Sequence, residues 1–128
     1  MTILLDTGPF ALLLMNSTRM SDNLRRVIAE HDIVLVPAIA FYEIGQKVRF
    51  GKWPEMAPYV EGLERTAQED GYEVVPLTAA VLLKASLLDW THRDPFDRMI
   101  AATALQERVP VASPDAAFDA VGVERVWG

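Results

Sequence analysis

Four carboxylates stand out in this chain of 128 residues because of where they fall: Asp6, Glu43, Asp97 and Asp115. Asp6 closes the apolar run that begins at Thr2. Glu43 lies about two turns into a helix that follows Ile33–Val36. Asp97 is in the first turn of a helix opened by Asp94-Pro95, and Asp115 comes just after Val109–Ala112. No Lys or Arg is equally placed among the strand-end positions. Acids gathered in a partly dry cleft cannot all ionise unless their pKa values rise or a cation neutralises them. A hard divalent ion is the economical answer. All-oxygen ligation suits Mg²⁺ or Mn²⁺, and such an ion lowers the pKa of a bound water and steadies charge on a phosphodiester in transit.

Each acid also has a plainer reading. Asp6 could cap the turn after its strand, and Asp94 before Pro95 has the signature of a helix cap. Glu43 could pair with Lys47 one helical turn on, a contact worth about 0.2–0.5 kcal/mol. Asp97 could complement a helix dipole, and Asp115 could be a turn residue. Their joint placement on one rim favours the chemical reading. His92 could act as a general base or metal ligand, but it has no second histidine near it in sequence, His31 being the only other, and reads rather as a loop residue. The run from Lys47 to Trp53 interleaves three basic residues, Lys47, Arg49 and Lys52, with two aromatics, a pattern that holds single-stranded nucleic acid by phosphate contact and stacking. The same run could equally complement a helix C-terminus and pack its rings.

Other chemistries lack their parts. There is no GxGxxG, no GxxxxGK and no GxSxG. A phosphoaspartyl phosphatase would want a second Asp two residues after Asp6, where Gly8 stands. A phosphate-accepting receiver domain would want two acids at the end of the first strand and a Lys after the last, and neither is visible.

The elements that must carry these residues alternate between short apolar runs and longer amphipathic stretches. Strands are expected at Thr2–Asp6, Ile33–Val36, Tyr72–Leu77, Val109–Ala112 and Val123–Trp127. Helices are expected near Phe10–Met15, from the Ser21 cap to Glu30, from Pro37 to Phe50, from Pro54 to about Gly71, from the Thr78 cap to Trp90, and from Asp94-Pro95 to Arg108, with a short turn at Pro114–Ala120. In the helix around Glu43, Phe41, Ile44 and Val48 form one apolar stripe, with Ile39, Glu43 and Phe50 roughly opposite. It is therefore expected to be buried on two sides. Strand-helix alternation predicts a doubly wound α/β/α sandwich, whose ligands collect at the carboxyl ends of the strands where the winding reverses.

Composition fits one such domain over residues 1–128: 51% hydrophobic and 23% charged, enough to bury about two-thirds of the unfolded surface without a staple. The absence of Cys excludes disulfide scaffolds, thiolate metal sites and cysteine nucleophiles. No apolar run approaches the ~20 residues of a membrane span, and the N-terminus reaches Asp6 too soon for a signal peptide, so a soluble cytoplasmic protein is expected. The net charge of −6 argues at first against nucleic acid. Setting the four rim acids aside leaves 14 acidic against 12 basic groups, so most of the excess is local to one cleft.

Leu5-Asp6-Thr7, the segment Phe41-Tyr42-Glu43-Ile44 with Lys47 and Gly51, the block His92-Arg93-Asp94-Pro95-Phe96-Asp97-Arg98-Met99-Ile100-Ala101-Ala102, and Ser113-Pro114-Asp115 before Phe118 together resemble a PIN-domain protein of the VapC toxin type. The resemblance covers essentially the whole chain in order. It implies a PIN-like three-layer sandwich with a five-stranded parallel sheet and a Mg²⁺- or Mn²⁺-dependent endoribonuclease. Asp6, Glu43, Asp97 and Asp115 would be the metal-binding quartet, Asp6 and Asp97 most directly, with Glu43 orienting or activating water and Asp115 completing the shell or a second site. Asp94 would be an auxiliary acid, and Thr7 and Ser113 match the small hydroxyl positions beside the first and fourth acids. Lys47, Arg49, Lys52, Arg93 and Arg98 are the candidate RNA contacts. Gly8-Pro9 departs from the His-Ala of many relatives, which touches the turn beside Asp6 and removes no ligand. The implied partners are transfer or ribosomal RNA, a second copy of the chain, and a small cognate antitoxin with a DNA-binding region. The alternative within the same fold is a catalytically inactive module that binds RNA or protein.

Overall fold

The computed structural model describes residues 1–16 and 18–127. Strand β1 (Thr2–Leu5) leads into α1 (Thr7–Leu14) and α2 (Asp22–Ala29), then β2 (Ile33–Pro37) and α3 (Ile39–Arg49). A 3₁₀ segment (Pro54–Tyr59) and α4 (Leu63–Glu69) precede β3 (Glu73–Val75), which is followed by α5 (Ala79–Leu87) and α6 (Pro95–Glu107). Strand β4 (Val111–Ala112), a second 3₁₀ segment (Ala116–Val121) and β5 (Arg125–Val126) complete the order. The five strands form one sheet in the order β3-β2-β1-β4-β5, and every pairing is parallel.

A parallel sheet covered on both faces wants apolar residues at every strand position, and the central strands supply them. Ile3, Leu5, Val36 and Ala112 face a core closed by Phe10 and Ala11 of α1, Leu24 and Ile28 of α2, and Leu63 and Ala67 of α4. Leu4, Leu35 and Val111 face the other way, onto Ile100, Ala101 and Ala104 of α6 and onto Phe118. Helix α5 lies outside α6, with Val81 and Ala85 on Ala102. Helix α3 is shared between the two cores: Ala40 and Ile44 join the first, Ile39 the second. The expected double burial of α3 is therefore met within the chain, although Phe50 is exposed rather than buried.

Several boundaries differ from the sequence reading, each for a local reason. The helix expected over Pro54–Gly71 is broken, because Pro58 lacks an N–H and Gly62 turns left-handed at φ 72°. Pro37 ends β2, in register with Val75, instead of opening α3, whose N-cap Ala38 makes no side-chain cap bond. Helix α1 starts at Thr7, three residues early, since Pro9 sits in a first turn that needs no N–H from it. Strands β3, β4 and β5 are shorter than expected. Among the described residues no helix is long and apolar enough to cross a membrane.

In the sheet order, winding runs outward from β1 through β2 to β3 on one side and through β4 to β5 on the other. The reversal falls between β1 and β4, where Leu5 pairs with Ala112 and the Asp6 N–H donates to Ala112 O at 3.0 Å. Open parallel sheets bind their ligands at the carboxyl side of such a reversal.

Candidate active site

Asp6 stands at that reversal, one residue past β1, and serves as N-cap of α1: its Oδ1 accepts from the Thr7 N–H at 2.8 Å. Its Oδ2 accepts from the Ser113 hydroxyl at 2.7 Å across the β1–β4 junction. Ser113 Oγ in turn accepts from the Asp115 N–H at 3.0 Å, so one fully buried hydroxyl links the first and fourth acids. The Asp115 carboxylate accepts from the Ala117 N–H and caps the 3₁₀ segment that follows.

Glu43 enters from α3 and is only 7% exposed, so it is not a residue of the open surface. Both its oxygens are held. The Thr7 hydroxyl donates to Oε1 at 2.8 Å and Lys47 Nζ donates to Oε2 at 2.8 Å. The Glu43–Lys47 pair thus exists, inside the site, with the ammonium 5.5 Å from the Trp53 ring centroid.

Asp97 comes from the first turn of α6, half-buried, and its Oδ2 lies 2.7 Å from His92 Nε2. Asp94 is the N-cap of α6, accepting from the Phe96 N–H at 2.9 Å, as the Asp-Pro signature predicts. It also belongs, with His92 and Asp97, to a group whose potential ligand atoms all lie within 4.8 Å of one another. His92, read from sequence as an ordinary loop residue, is therefore part of the site. Its five-residue spacing from Asp97 was the available signal, since a loop that turns into a helix start brings such positions together.

The electrostatics single out the interior acids. Burial, reinforced by the negative charges of Asp97 and Glu43 and opposed by the bonds from Ser113 and Thr7, pushes the Asp6 carboxyl up to about 6. Asp97 is also raised, first by burial, against the His92 hydrogen bond and with the charges of Asp94 and Glu43. These three acids from β1, α3 and α6 feel one another, while Asp115 is joined to them through Ser113 and places its charge by Arg125. A group of carboxylates in which Asp6 and Asp97 are both held against ionisation offers oxygen donors that fit a hard divalent cation.

The basic residues divide. Arg98, expected to contact RNA, is turned inward. Nε donates to Ala85 O at 3.0 Å, Nη1 to Trp90 O at 2.8 Å and His92 O at 2.9 Å, and Nη2 to Leu88 O at 2.7 Å and Ser86 O at 3.4 Å. Its five N–H donors are all used, so it has none left for a phosphate. Helix α5 ends here with carbonyls that lack helical partners, and Arg98 supplies them. Arg93 and Lys52 are exposed, and Arg49 lies over the Phe50 ring at 4.5 Å.

A family model for the PIN domain matches residues 3–124 of this chain. A search of curated proteins finds no match. Among solved structures, the chain is similar to VapBC2 from Rickettsia felis bound to a promoter DNA fragment (TM-score 0.70, 13% identity, 98% of each chain covered). It is similar to FitAcB from Neisseria gonorrhoeae (TM-score 0.68, 19% identity, 98% of this chain and 96% of that one). It is also similar to DNA-bound VapBC from Salmonella typhimurium (TM-score 0.69, 17% identity, 98% and 97%). At these identities the likeness is one of fold.

Proposed function

Because this chain belongs to the PIN-domain family, we propose that it is a divalent-metal-dependent endoribonuclease and the VapC-type toxin of a toxin–antitoxin pair. The observation that carries the reading is the convergence of Asp6, Glu43 and Asp97, from three separate elements, at the one point where the sheet's winding reverses. Asp6 and Asp97 are the residues to hold Mg²⁺ or Mn²⁺, with Asp115 and Asp94 as outer acids. When bound, such an ion supplies Lewis acidity, neutralising charge on a phosphodiester and making water a better nucleophile.

The chain's own residues prepare the rest. Thr7 and Lys47 fix both oxygens of Glu43, which suits it to orient the attacking water. Ser113 fixes Asp6 from the β4 side. Lys47 brings a positive charge to the rim of an acidic cleft, where it offsets part of the repulsion an RNA backbone would meet, and Arg93 stands exposed just before α6. The basic chemistry expected of an inhibiting antitoxin follows from the same charge: a cationic side chain inserted among these acids would take the place of the metal.

The pairing with an antitoxin draws on the complexes of similar fold. Self-association draws on exposed apolar side chains, Tyr42 on α3, Phe50 at its C-cap, and Leu83 and Leu87 on α5. Phe50→Asp and Leu87→Asp are the variants to test it by light scattering. Phe41 is unsuited to that test because its ring packs on Phe10 at 5.5 Å, inside the core.

The reading is tested by incubating RNA with the wild-type protein and with Asp6→Asn and Asp97→Asn in Mn²⁺. Both variants should lose cleavage and host toxicity while keeping the wild-type circular dichroism spectrum. Full cleavage by both would refute it, and metal-independent RNA binding without cleavage by the wild type would favour the inactive binding module.

A further inference from the structure

His92 has no role in the reading above, yet both its backbone and its ring are held in place. Its backbone carbonyl accepts from Arg98 Nη1 at 2.9 Å. Its ring lies against Trp90, centroids 4.8 Å apart and 33° from parallel, and Trp90 lies against the fully buried Phe118 at 5.8 Å. The Trp90 carbonyl is itself held by Arg98 Nη1 at 2.8 Å. Backbone and ring are thus both fixed, and what they present is Nε2, 2.7 Å from Asp97 Oδ2. An ionised carboxylate has only acceptors, so Nε2 carries the hydrogen and donates it. Asp97 Oδ1 takes no hydrogen bond among the described residues.

We propose that His92 is a positioning residue for Asp97: by donating from Nε2 to Oδ2 it fixes the carboxylate's rotation and leaves Oδ1 as the oxygen presented to a cation. The inference rests on the metal-nuclease reading and extends it to a residue outside the acidic quartet. Two adjacent residues of α6 cooperate in this arrangement. Arg98 clamps the loop, and the loop returns His92 to Asp97, so the acid and the group that orients it are set by one helix. Groups that hydrogen-bond a metal-binding carboxylate from behind change metal affinity or activity by about 10–100-fold when removed. Direct ligation by His92 would carry a different signature: a ligand needs a free imidazole lone pair, whereas an orienting donor needs only an N–H in the same place.

The test is a Mn²⁺ titration followed by electron paramagnetic resonance of the free ion, on the intact protein without RNA, for the wild type, His92→Phe and His92→Gln. Phe keeps the ring against Trp90 and removes the donor; Gln restores an N–H near the Nε2 position. The expected result is a loss of Mn²⁺ affinity of about tenfold or more in His92→Phe, recovery to within about threefold in His92→Gln, and unchanged circular dichroism in both. Wild-type affinity in folded His92→Phe would overturn the inference and leave the nuclease reading standing. Equal loss in His92→Phe and His92→Gln would overturn it in favour of direct ligation. Absence of Mn²⁺ binding by the wild type would overturn the inference together with the reading beneath it.

Discussion

The acids reach the cleft by two different routes. At the β1–β4 junction, Asp6 and Asp115 are placed by strand pairing: one residue past Leu5 and three past Ala112, in a register fixed by ladder hydrogen bonds and tied together by Ser113. At the α5–α6 approach, Asp97 rides on the first turn of α6, and the loop that brings His92 to it is held by a single side chain, Arg98, which gathers five carbonyls from Ala85 to His92. The first arrangement is distributed over many backbone bonds and a buried core. The second concentrates its order in one guanidinium, so it is the point at which the site is most easily undone.

Arg98→Ala should therefore have the largest effect. Hydrogen bonds from charged donors contribute about 1.5–3 kcal/mol each and do not add fully, so we expect a stability loss of at least about 3 kcal/mol in urea denaturation, together with lost cleavage. Arg98→Lys, with three donors in place of five, should recover only part. A change below about 1 kcal/mol in Arg98→Ala would remove the contrast between the two regions.

Asp6→Asn should act in the opposite direction. The Asp6 carboxyl is raised from 3.8 to about 6 in the folded protein, so between those values the native state binds more protons than the unfolded chain. Stability of the metal-free protein then falls as pH rises from about 4 to 6, and a cost of about 3 kcal/mol persists above pH 6. Removing the ionisable group should make the variant about 2 kcal/mol more stable than wild type at pH 8 and flatten the profile, leaving the part due to Asp97, which is raised as well. Added Mn²⁺ should stabilise the wild type and leave Asp6→Asn unchanged. Denaturation across pH 4–8 reads all three outcomes, and a wild-type profile that rises with pH over this range would contradict them.

Smaller effects sharpen the same comparison. Thr7→Val removes the donor to a buried Glu43 oxygen and should lower stability by about 1–2 kcal/mol, with Thr7→Ser near wild type. Arg93→Ala, exposed on the α6 approach, should stay within about 0.5 kcal/mol of wild type while weakening RNA binding and its salt dependence.

The two regions also differ in how legible they were. The carboxyl ends of strands can be read from apolar runs, so Asp6 and Asp115, and the hydroxyls Thr7 and Ser113 beside them, were found where they stand. The burial of Glu43 is legible because it shares a helix side with Ile39, opposite the stripe of Phe41, Ile44 and Val48. The inward turn of Arg98 and the contact of His92 with Asp97 are not legible in the sequence, because their partners are backbone carbonyls and an acid five residues away, contacts set by the course of the α5–α6 loop, and nothing in hydrophobic periodicity specifies that course. The break between Pro54 and Gly71 has its sequence signals in Pro58 and Gly62.

The most direct test of the central claim is cleavage of transfer and ribosomal RNA by the wild-type protein, in Mn²⁺ or Mg²⁺, after EDTA, and after re-addition of the metal. The acidic cleft predicts cutting with the divalent ion, none in EDTA, and full recovery on re-addition. RNA left uncut under all three conditions, or cut equally well in EDTA, would contradict it.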